Sequence, residues 1–396
     1  MWRRRRSGSW SCSNLQPLPI LDSDLPLLLR HYAAHSPSSP ALIPSPPFPS
    51  SHDLSLPSTQ QWLVDNLLAT HRVAHEEDTE GARSWKKVFW RRVVKGIEAG
   101  FDERRTRGDE QVADEEVHPD ILEAMVDLLS TPGSSSGSAA PGVSTRTYYW
   151  GELRKPRSEL NALKTREEGR MISGGTTGLR TWQACIALAN HFLADPSPLL
   201  RSRRTVELGS GIGLLSLIAA KLHADAADSP AEVAARIVAT DVDEKVLDML
   251  QGNVELNRLQ HFVGALKLDW ELTADLAKNG DELAQWEQQA FPHGGRADLI
   301  LGADIVYDPS LAGHLASTLA WLLNPRTGDT ISRHSEALIA GTIRNESTWE
   351  LFLHECRTRQ LKVEPLELKA PSNWSGLVGA EGWEGEGEVR LVRITQ

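Results

Sequence analysis

Cysteine is scarce in this 396-residue chain, which contains Cys12, Cys185 and Cys356 and no others. No two of them form a Cys-x-x-Cys pair, which excludes a disulfide framework and a zinc knuckle. Long apolar runs are missing too, since no stretch approaches the ~20 residues that span a membrane. We therefore expect a cytoplasmic protein with no membrane span.

Basic residues are outnumbered, with 42 Lys and Arg against 53 Asp and Glu and a formal net charge of −11. This balance argues against non-specific nucleic-acid binding through the whole surface. No His-Glu-x-x-His motif occurs, and the pair His31 and His35 lacks a third ligand. We therefore predict no metal site and no direct nucleic-acid partner, and we expect a monomer.

The amino terminus leaves two localisations open. Residues 1–6 contain four arginines, and acids are few in the first 50 residues, as in a transit peptide. Proline-rich sequence follows, and Asp22 and Asp24 interrupt the basic character. These features favour a cytoplasmic protein over an imported one.

Composition divides the chain into three parts, and its length allows one large and one small domain. Residues 1–130 are predicted to form a small helical domain, with helices at 21–34, 59–74, 83–99 and 119–129. A Ser/Pro-rich stretch at 36–58 is predicted to be a loop. Gly, Ser and Pro at 131–146 predict a flexible linker. Residues 147–396 are predicted to form the large domain.

The helix predicted at 83–99 carries apolar residues near one face and basic residues on the others. The apolar set is Trp85, Val88, Phe89, Val93 and Ile97. The basic residues fit two alternatives, a docking surface for an acidic partner or the solvated rim of a packed amphipathic helix.

In the large domain, short β-rich runs alternate with helical patterns, which argues for βαβ units. Strands are predicted at 205–209, 237–241, 265–270, 298–303, 337–342, 361–368 and 389–394. Helices are predicted at 183–193, 211–223, 244–257, 282–289, 309–323 and 346–359. The last two strands alternate apolar and polar residues, which predicts an antiparallel pair at the sheet edge. The expected fold is α/β, a Rossmann-like seven-stranded sheet with a small helical N-terminal domain.

A glycine-rich turn follows the strand predicted at 205–209. Gly209, Gly211 and Gly213 let the backbone approach a ligand, and the next helix offers free N–H groups. Their G-x-G-x-G spacing differs from the dinucleotide fingerprint, and Glu207 would lie close to a pyrophosphate. S-adenosylmethionine, which has an amino group, a sulfonium and a ribose but no phosphate, fits better. The alternative is a turn that binds nothing.

Ligands of open α/β sheets bind at the carboxyl ends of the strands, so the residues there are candidate ligands. Asp241 could accept the ribose hydroxyls, because Asp243 is the better helix cap. Asp269 could accept the adenine amino group while Trp270 packs on the ring. The alternatives are a capping role for Asp241 and a core position for Trp270. Ala303 is small enough to let a cofactor lie close to its strand.

Two further segments are predicted to border the site. Asp308 and a following proline are typical of a helix start, which places Asp304 and Tyr307 on a loop at the mouth. The loop at 173–182 could form a lid in which Trp182 closes over the cofactor. Alternatively, this loop caps the next helix and its tryptophan packs in the core.

These motifs together resemble the seven-strand protein-lysine methyltransferases. The resemblance rests on G-T-T-G-L-R-T-W at 175–182, V-E-L-G-S-G-I-G at 206–213, L-D-W at 268–270 and A-D-I-V-Y at 303–307. With the segment S-W-K-K-V-F-W at 84–90, the chain is most similar to the eukaryotic elongation factor 2 lysine methyltransferases. The resemblance implies a protein substrate and the methylation of a lysine of elongation factor 2. It also implies cofactor contacts at Trp182, Gly209, Ser210, Gly211, Trp270 and Ala303.

The resemblance also suggests how the acceptor is handled. Lysine, with a pKa near ~10.4, must lose its proton before it attacks the methyl group. We hypothesise that Asp304 and Tyr307 orient the amine and that Asp304 aids proton release. Alternative acceptors are another protein or a small molecule. The glycine spacing and the lack of a Tyr-x-x-x-Lys pair argue against an NAD-dependent oxidoreductase. The intact motifs argue against a non-catalytic binding module.

Overall fold

The computed structural model describes residues 24–36, 39–68, 80–130, 142–152, 155, 157–168, 177–227, 236–324, 335–372, 375–378 and 387–396. They form a helical N-terminal part and a mixed α/β part with its own sheet. Within these ranges, no helix is both long enough and apolar enough to cross a membrane.

The N-terminal part consists of helices around one apolar core. Its helices are α1 (Asp24–Ala33), α2 (Ser51–Leu54), α3 (Pro57–Leu63), α4 (Glu80–Thr106) and α5 (Pro119–Ser130). A π-helical turn at Val64–Leu68 extends α3. In α4, Trp85, Phe89, Val93 and Ile97 are buried as predicted, whereas Val88 is 42% exposed and Trp90 is fully buried instead. The predicted apolar face was therefore wrong at Val88.

The basic residues of α4 are not all solvated. Lys86 is buried, and the guanidinium of Arg92 lies 3.6 Å from the centre of the Phe48 ring. Arg92 also donates to the carbonyls of Pro40 and Ile43, at 2.7 and 2.9 Å. These two cations are therefore engaged within the fold, which removes them from a docking surface and from a solvated rim alike.

The Ser/Pro-rich stretch was predicted to be a loop without regular structure, and this prediction was wrong. It contains a 3-10 turn at Pro40–Leu42 and helix α2. Ile43, Phe48 and Leu54 are each less than 5% exposed in the N-terminal core. A few apolar anchors fix the segment against α4 in spite of its proline content.

A two-stranded hairpin that the sequence did not predict precedes the main sheet. Strand β1 (Val143–Trp150) pairs antiparallel with β2 (Asn161–Glu168). Residues 143–146, expected in the linker, are therefore strand, while 131–141 lie outside the described residues. Asn253 and Asn257 accept hydrogen bonds from the backbone N–H groups of Arg166 and Lys164. These bonds attach the hairpin to the main α/β unit.

The main sheet confirms the predicted seven-stranded fold. Its strands are β3 (Arg204–Leu208), β4 (Arg236–Asp241), β5 (Val263–Lys267), β6 (Leu299–Ala303), β7 (Glu336–Thr342), β8 (Lys362–Leu366) and β9 (Val389–Thr395). The spatial order is β5-β4-β3-β6-β7-β9-β8, and the first five strands are parallel. Strand β9 pairs antiparallel with both β7 and β8, so the predicted antiparallel edge is confirmed.

Helices cover both faces of this sheet, with one apolar cluster on each face. They are α6 (Gln183–Ala194), α7 (Ser197–Arg201), α8 (Leu214–Ala226), α9 (Glu244–Leu256), α10 (Leu276–Ala290), α11 (Ala312–Leu323) and α12 (Glu346–Thr358). Strand β5 ends earlier than predicted, at Lys267, because Asp269 caps a 3-10 turn that begins at Trp270. This double winding brings the carboxyl ends of β3, β4 and β6 to one edge.

The N-terminal helices pack directly on the α/β unit. Arg30 of α1 is fully buried and donates to the carbonyls of Gly151 and Gly376, at 2.7 and 2.9 Å. Burial lowers the pKa of Arg30 to about 10, which leaves it charged at neutral pH. One buried cation therefore links three distant segments of the chain.

Candidate functional site

A cleft of about 540 Å³ lies at the carboxyl ends of the parallel strands. It brings together every site residue predicted from the sequence. These are Trp182, Glu207, Gly209, Ser210, Gly211, Asp241, Asp269, Trp270, Ala303, Asp304 and Tyr307. The strand-end rule therefore located the cleft, although several side chains have partners that the sequence did not predict.

The glycine turn after β3 forms the floor of the cleft. Gly209, Gly211 and Gly213 have φ values of +58°, +53° and +90°, which favour glycine. A Cβ on Gly209 would lie 2.7 Å from Cγ2 of Ile305. These turn conformations delay the start of α8 to Leu214, three residues after the predicted start. The turn thus leaves backbone atoms exposed to a ligand where side chains would fill the space.

Ser210 fastens this turn to strand β4. Its N–H donates to the carbonyl of Thr240 at 2.7 Å, and its hydroxyl accepts from the N–H of Thr240 at 2.8 Å. The hydroxyl also donates to the carbonyl of Glu207 at 3.1 Å. The side chain of Ser210 therefore holds the cradle in shape.

Glu207 is buried beneath the turn and accepts a hydrogen bond from the hydroxyl of Ser216. Burial raises the pKa of Glu207 to about 7, with a smaller contribution from the charge of Asp241. A cation placed beside it would favour the ionised form. The environment of Glu207 therefore fits a ligand that carries positive charge.

The charge of the whole cleft supports the same conclusion. Among its described lining residues, seven are acidic and one, Arg180, is basic. The acids are Glu207, Asp241, Asp243, Asp269, Glu271, Asp304 and Asp308. An acidic cleft disfavours a pyrophosphate and favours a ligand with an amine and a sulfonium. The residues present therefore fit S-adenosylmethionine, whereas they do not fit NAD.

Asp241 ends strand β4 and accepts two backbone hydrogen bonds. Its Oδ2 accepts from the N–H of Gly211 at 3.2 Å and its Oδ1 from that of Asp243 at 3.1 Å. Asp243 caps α9, as predicted, by accepting from the N–H groups of Lys245 and Val246. Because a carboxylate oxygen can accept more than one hydrogen bond, Asp241 retains capacity for ribose hydroxyls.

Asp269 and Trp270 form the opposite wall. Asp269 accepts from the N–H of Glu271 at 2.9 Å and so caps the 3-10 turn. The half-buried ring of Trp270 lies 3.5 Å from where a Cβ on Gly209 would be. An aromatic face therefore borders the glycine turn, as adenine packing requires.

Trp182 lies at the start of α6 on the far side of the cleft. Its indole Nε1 donates to the carbonyl of Thr177 at 3.0 Å. The guanidinium carbons of Arg180 and Arg344 lie 5.0 and 5.1 Å from its ring centre, within cation–π range. Residues 173–176 of the predicted lid lie outside the described residues, so the lid hypothesis stays a prediction.

Asp304 lines the cleft, but its carboxylate is only 3% exposed. It accepts from the N–H groups of Ala184 and Thr342, each at 2.8 Å, and from the Thr342 hydroxyl at 3.1 Å. Nη1 of Arg344 lies 3.6 Å from Oδ1. The backbone φ of +56° directs the side chain to these partners. Asp304 therefore ties α6 to the end of β7.

Tyr307 has the opposite setting, because it is 55% exposed at the mouth of the cleft. Partial desolvation raises the pKa of its hydroxyl, while a hydrogen bond with Thr177 opposes that shift. Tyr307 is therefore the member of the predicted pair whose side chain is accessible to a second substrate.

The sequence analysis did not single out Arg180 and Arg344. Arg344 follows the end of β7, so the strand-end rule applied to that strand would have found it. Arg180 lies in the glycine-rich loop that was identified. The orientation of both toward Trp182 depends on long-range packing.

Comparisons with known proteins identify the family to which the chain belongs. Residues 159–352 match the model of a family described as lysine methyltransferase. The protein-lysine N-methyltransferase EFM3 of Chaetomium thermophilum is 33% identical over 282 residues, which cover 70% of this chain and 73% of that protein. The human protein-lysine N-methyltransferase EEF2KMT is 32% identical over 205 residues, covering 50% and 56% of the two chains.

Among solved structures, TYW2 of Pyrococcus horikoshii in complex with MeSAdo superposes with a TM-score of 0.35 at 17% identity. The superposition covers 65% of this chain and 72% of that one. The sequence matches and the acidic, glycine-floored cleft lead to one assignment: the chain belongs to the class I, S-adenosylmethionine-dependent protein-lysine methyltransferase family.

Proposed function

We propose that this enzyme methylates a lysine of eukaryotic elongation factor 2. The observation that carries the proposal is an acidic cleft with an accessible tyrosine at its mouth, which suits a cationic donor and an amine acceptor. The segment at 84–90, which resembles the elongation factor 2 enzymes, forms part of the N-terminal core through Trp85, Phe89 and Trp90. The match to the Chaetomium enzyme is longer than the catalytic family region, which supports a shared substrate class.

The acidic, glycine-floored part of the cleft supports a cofactor site there. When bound, S-adenosylmethionine supplies a methyl group on a sulfonium as the electrophile. We propose that the backbone at Gly209 and Gly211 lies against it. Asp241 accepts from the ribose, and Asp269 with Trp270 holds the adenine. Glu207 supplies the negative charge beneath the glycine turn.

On the acceptor side of the cleft, we consider Tyr307 together with Asp304. A lysine amine that enters a less polar channel has a lowered pKa, which favours the neutral, nucleophilic form. We propose that the Tyr307 hydroxyl contacts and orients this amine. Asp304 then acts as a positioning residue, because its oxygens already hold Ala184 and Thr342.

We further propose that the enzyme acts as a monomer in the cytoplasm. The scarcity of cysteine and the absence of Cys-x-x-Cys pairs support a reducing compartment. A different protein or a small molecule on the same acceptor side is the alternative substrate.

Transfer of a labelled methyl group from the cofactor tests the substrate proposal. Purified elongation factor 2, a whole-cell protein extract and a metabolite extract are incubated separately with the full-length enzyme. The proposal expects label in elongation factor 2 and in a protein of the same size in the extract. Label confined to another protein, or to the metabolite fraction, would assign the alternative acceptor.

A further inference from the structure

A second cavity, of about 300 Å³, lies between the N-terminal helices and the α/β unit. Its walls come from the residues after α1, the start of α4, strand β1 and the segment 180–181. Arg180 and Thr181 line both this cavity and the cofactor cleft. We call this space the interdomain cavity, and it adjoins the cleft across those two residues.

Positive charge is concentrated at the interdomain cavity. Arg146 and Arg180 line it. The side chain of Arg146 is 16% exposed, and Arg180 as a whole residue is 8% exposed. Lys86 is buried nearby. The pKa of His35, also in the wall, is far below its usual value, first because of burial and then because of the charges of Arg146 and Lys86. Three cations therefore lie in or near this wall.

The carboxylate beside these cations is largely committed to other partners. Glu167 is fully buried and accepts from the hydroxyls of Tyr148 and Thr165, at 2.8 and 2.7 Å. It also accepts from the N–H and the hydroxyl of Thr181, both at 3.0 Å. Nη1 of Arg146 lies 3.5 Å from Oε2 of Glu167. Within the described residues, Nε of Arg146 has no hydrogen-bond partner although it is buried.

We propose that the interdomain cavity is a second binding site, which takes an oxyanion in the form of a carboxylate or a phosphate group. The planar guanidinium of an arginine donates in a fork that matches both groups. The hydroxyls of Ser36 and Ser84 add donors around the space, and Trp85 supplies an apolar wall. Because the cavity adjoins the cleft, the oxyanion it suits is an acidic group on the protein substrate, an identification that rests on the proposed function. The other source of the oxyanion is a free small anion.

Binding of inorganic phosphate and of acetate to the full-length protein tests the site without any activity. Each anion is titrated at constant ionic strength, with chloride as the balancing ion. Arg146→Gln removes the charge, and Ser84→Phe blocks the mouth from an exposed position while leaving every charge in place. Arg166→Gln, at an exposed position of β2, is the matched control. We expect binding about tenfold weaker in the first two variants and unchanged in the control.

Equal anion binding in all four proteins would overturn the site. If Arg146→Gln does not fold, Ser84→Phe still tests the site, because a substitution at an exposed residue should leave the fold intact. The KM for elongation factor 2 then separates the two sources. A higher KM in Ser84→Phe than in Arg166→Gln assigns the oxyanion to the substrate, while an equal KM with weakened phosphate binding assigns it to a free anion. Failure of wild-type transfer to elongation factor 2 would refute the proposed substrate and leave the phosphate result standing.

Discussion

Carboxylates and hydroxyls in the cleft differ in how much of their hydrogen-bonding capacity the protein already uses. Asp304 accepts from Ala184 and Thr342 and lies beside Arg344, so its oxygens are occupied. Tyr307 is more than half exposed. At the scale of single residues, the two members of the predicted catalytic pair therefore differ in environment, and we propose a positioning role for Asp304 and contact with the acceptor for Tyr307.

Tyr307→Phe should reduce methyl transfer with little effect on folding. The variant removes one hydroxyl, which has a hydrogen bond with Thr177 in a residue that is 55% exposed, so its free energy of unfolding should fall by no more than about 1 kcal/mol. Loss of a group that orients the amine should lower kcat about a hundredfold. Steady-state kinetics and urea denaturation measure the two effects. An unchanged kcat would remove Tyr307 from the acceptor site.

Asp304→Ala should instead destabilise the fold. It leaves the buried N–H groups of Ala184 and Thr342 without their acceptor, at a cost of about 3 kcal/mol in total. Asp304→Asn keeps one acceptor oxygen and tolerates the positive φ, so it should recover part of that loss. Urea denaturation checks both variants. Wild-type stability in Asp304→Ala would contradict the positioning role.

Glu207 predicts a pH dependence of stability. Its pKa rises from 4.5 to about 7 on folding, so the folded state binds more protons between these values. The free energy of unfolding should therefore fall as the pH rises through this window. Glu207→Gln lacks this ionisation. Thermal denaturation from pH 5 to 8 should show a steeper loss in the wild type than in Glu207→Gln, and parallel profiles would contradict the raised pKa.

Much of the site could be predicted at this scale because strand ends share one edge of a parallel sheet. That rule placed Asp241, Trp270 and Tyr307 in the cleft without a structure. It could not predict that Asp304 turns inward, since its partners Thr342 and Arg344 lie on another strand end. Side-chain orientation depends on residues distant in sequence.

At the scale of elements, the turn from β3 to α8 forms the floor of the cleft. Its glycines adopt positive φ, and the neighbouring Ile305 lies too close to admit a side chain on Gly209. Strand β4 fixes the turn through Ser210. The cradle is therefore a property of two strands and a turn rather than of one motif.

Gly209→Ala should lose both stability and cofactor affinity. The new Cβ would lie 2.7 Å from Ile305 in a conformation that alanine rarely adopts, which should cost about 2 kcal/mol or more. Gly280→Ala is the control, because that helical glycine has open space around it and should gain up to about 1 kcal/mol. Urea denaturation and calorimetry with S-adenosylmethionine check the pair. Normal cofactor binding by Gly209→Ala would argue against the assigned cradle.

The helices and strands differ in how far their own sequence patterns predict them. Buried parallel strands such as β6 and β7 have continuous apolar runs, and the sequence located them to within one residue. The hairpin of β1 and β2 lacks such a run, and its attachment relies on Asn253 and Asn257. The segment at 36–58 is likewise held by a few anchors and by Arg92, which composition does not reveal.

At the scale of the whole molecule, the N-terminal helices and the α/β unit share a buried contact. Arg30 joins α1 to Gly151 and Gly376, and the interdomain cavity opens beside the same contact region. The helical part therefore contributes walls to a space that adjoins the cofactor cleft.

Arg30→Met should weaken this contact. It removes two hydrogen bonds from a buried cation to backbone carbonyls, which should cost about 3 kcal/mol. Limited proteolysis should then cleave the N-terminal helices sooner than in the wild type. Arg91→Met, at an exposed position of α4, is the matched control. Equal cleavage rates in the two variants would show that Arg30 does not hold the parts together.

Mass spectrometry of elongation factor 2 tests the central claim most directly. The purified factor is incubated with the full-length enzyme and S-adenosylmethionine, digested and sequenced, while calorimetry verifies cofactor binding in the same preparation. The account predicts a lysine-containing peptide heavier by whole methyl groups, with the increase lost in Tyr307→Phe at short reaction times. An unmodified factor under conditions in which the enzyme binds its cofactor would contradict the account.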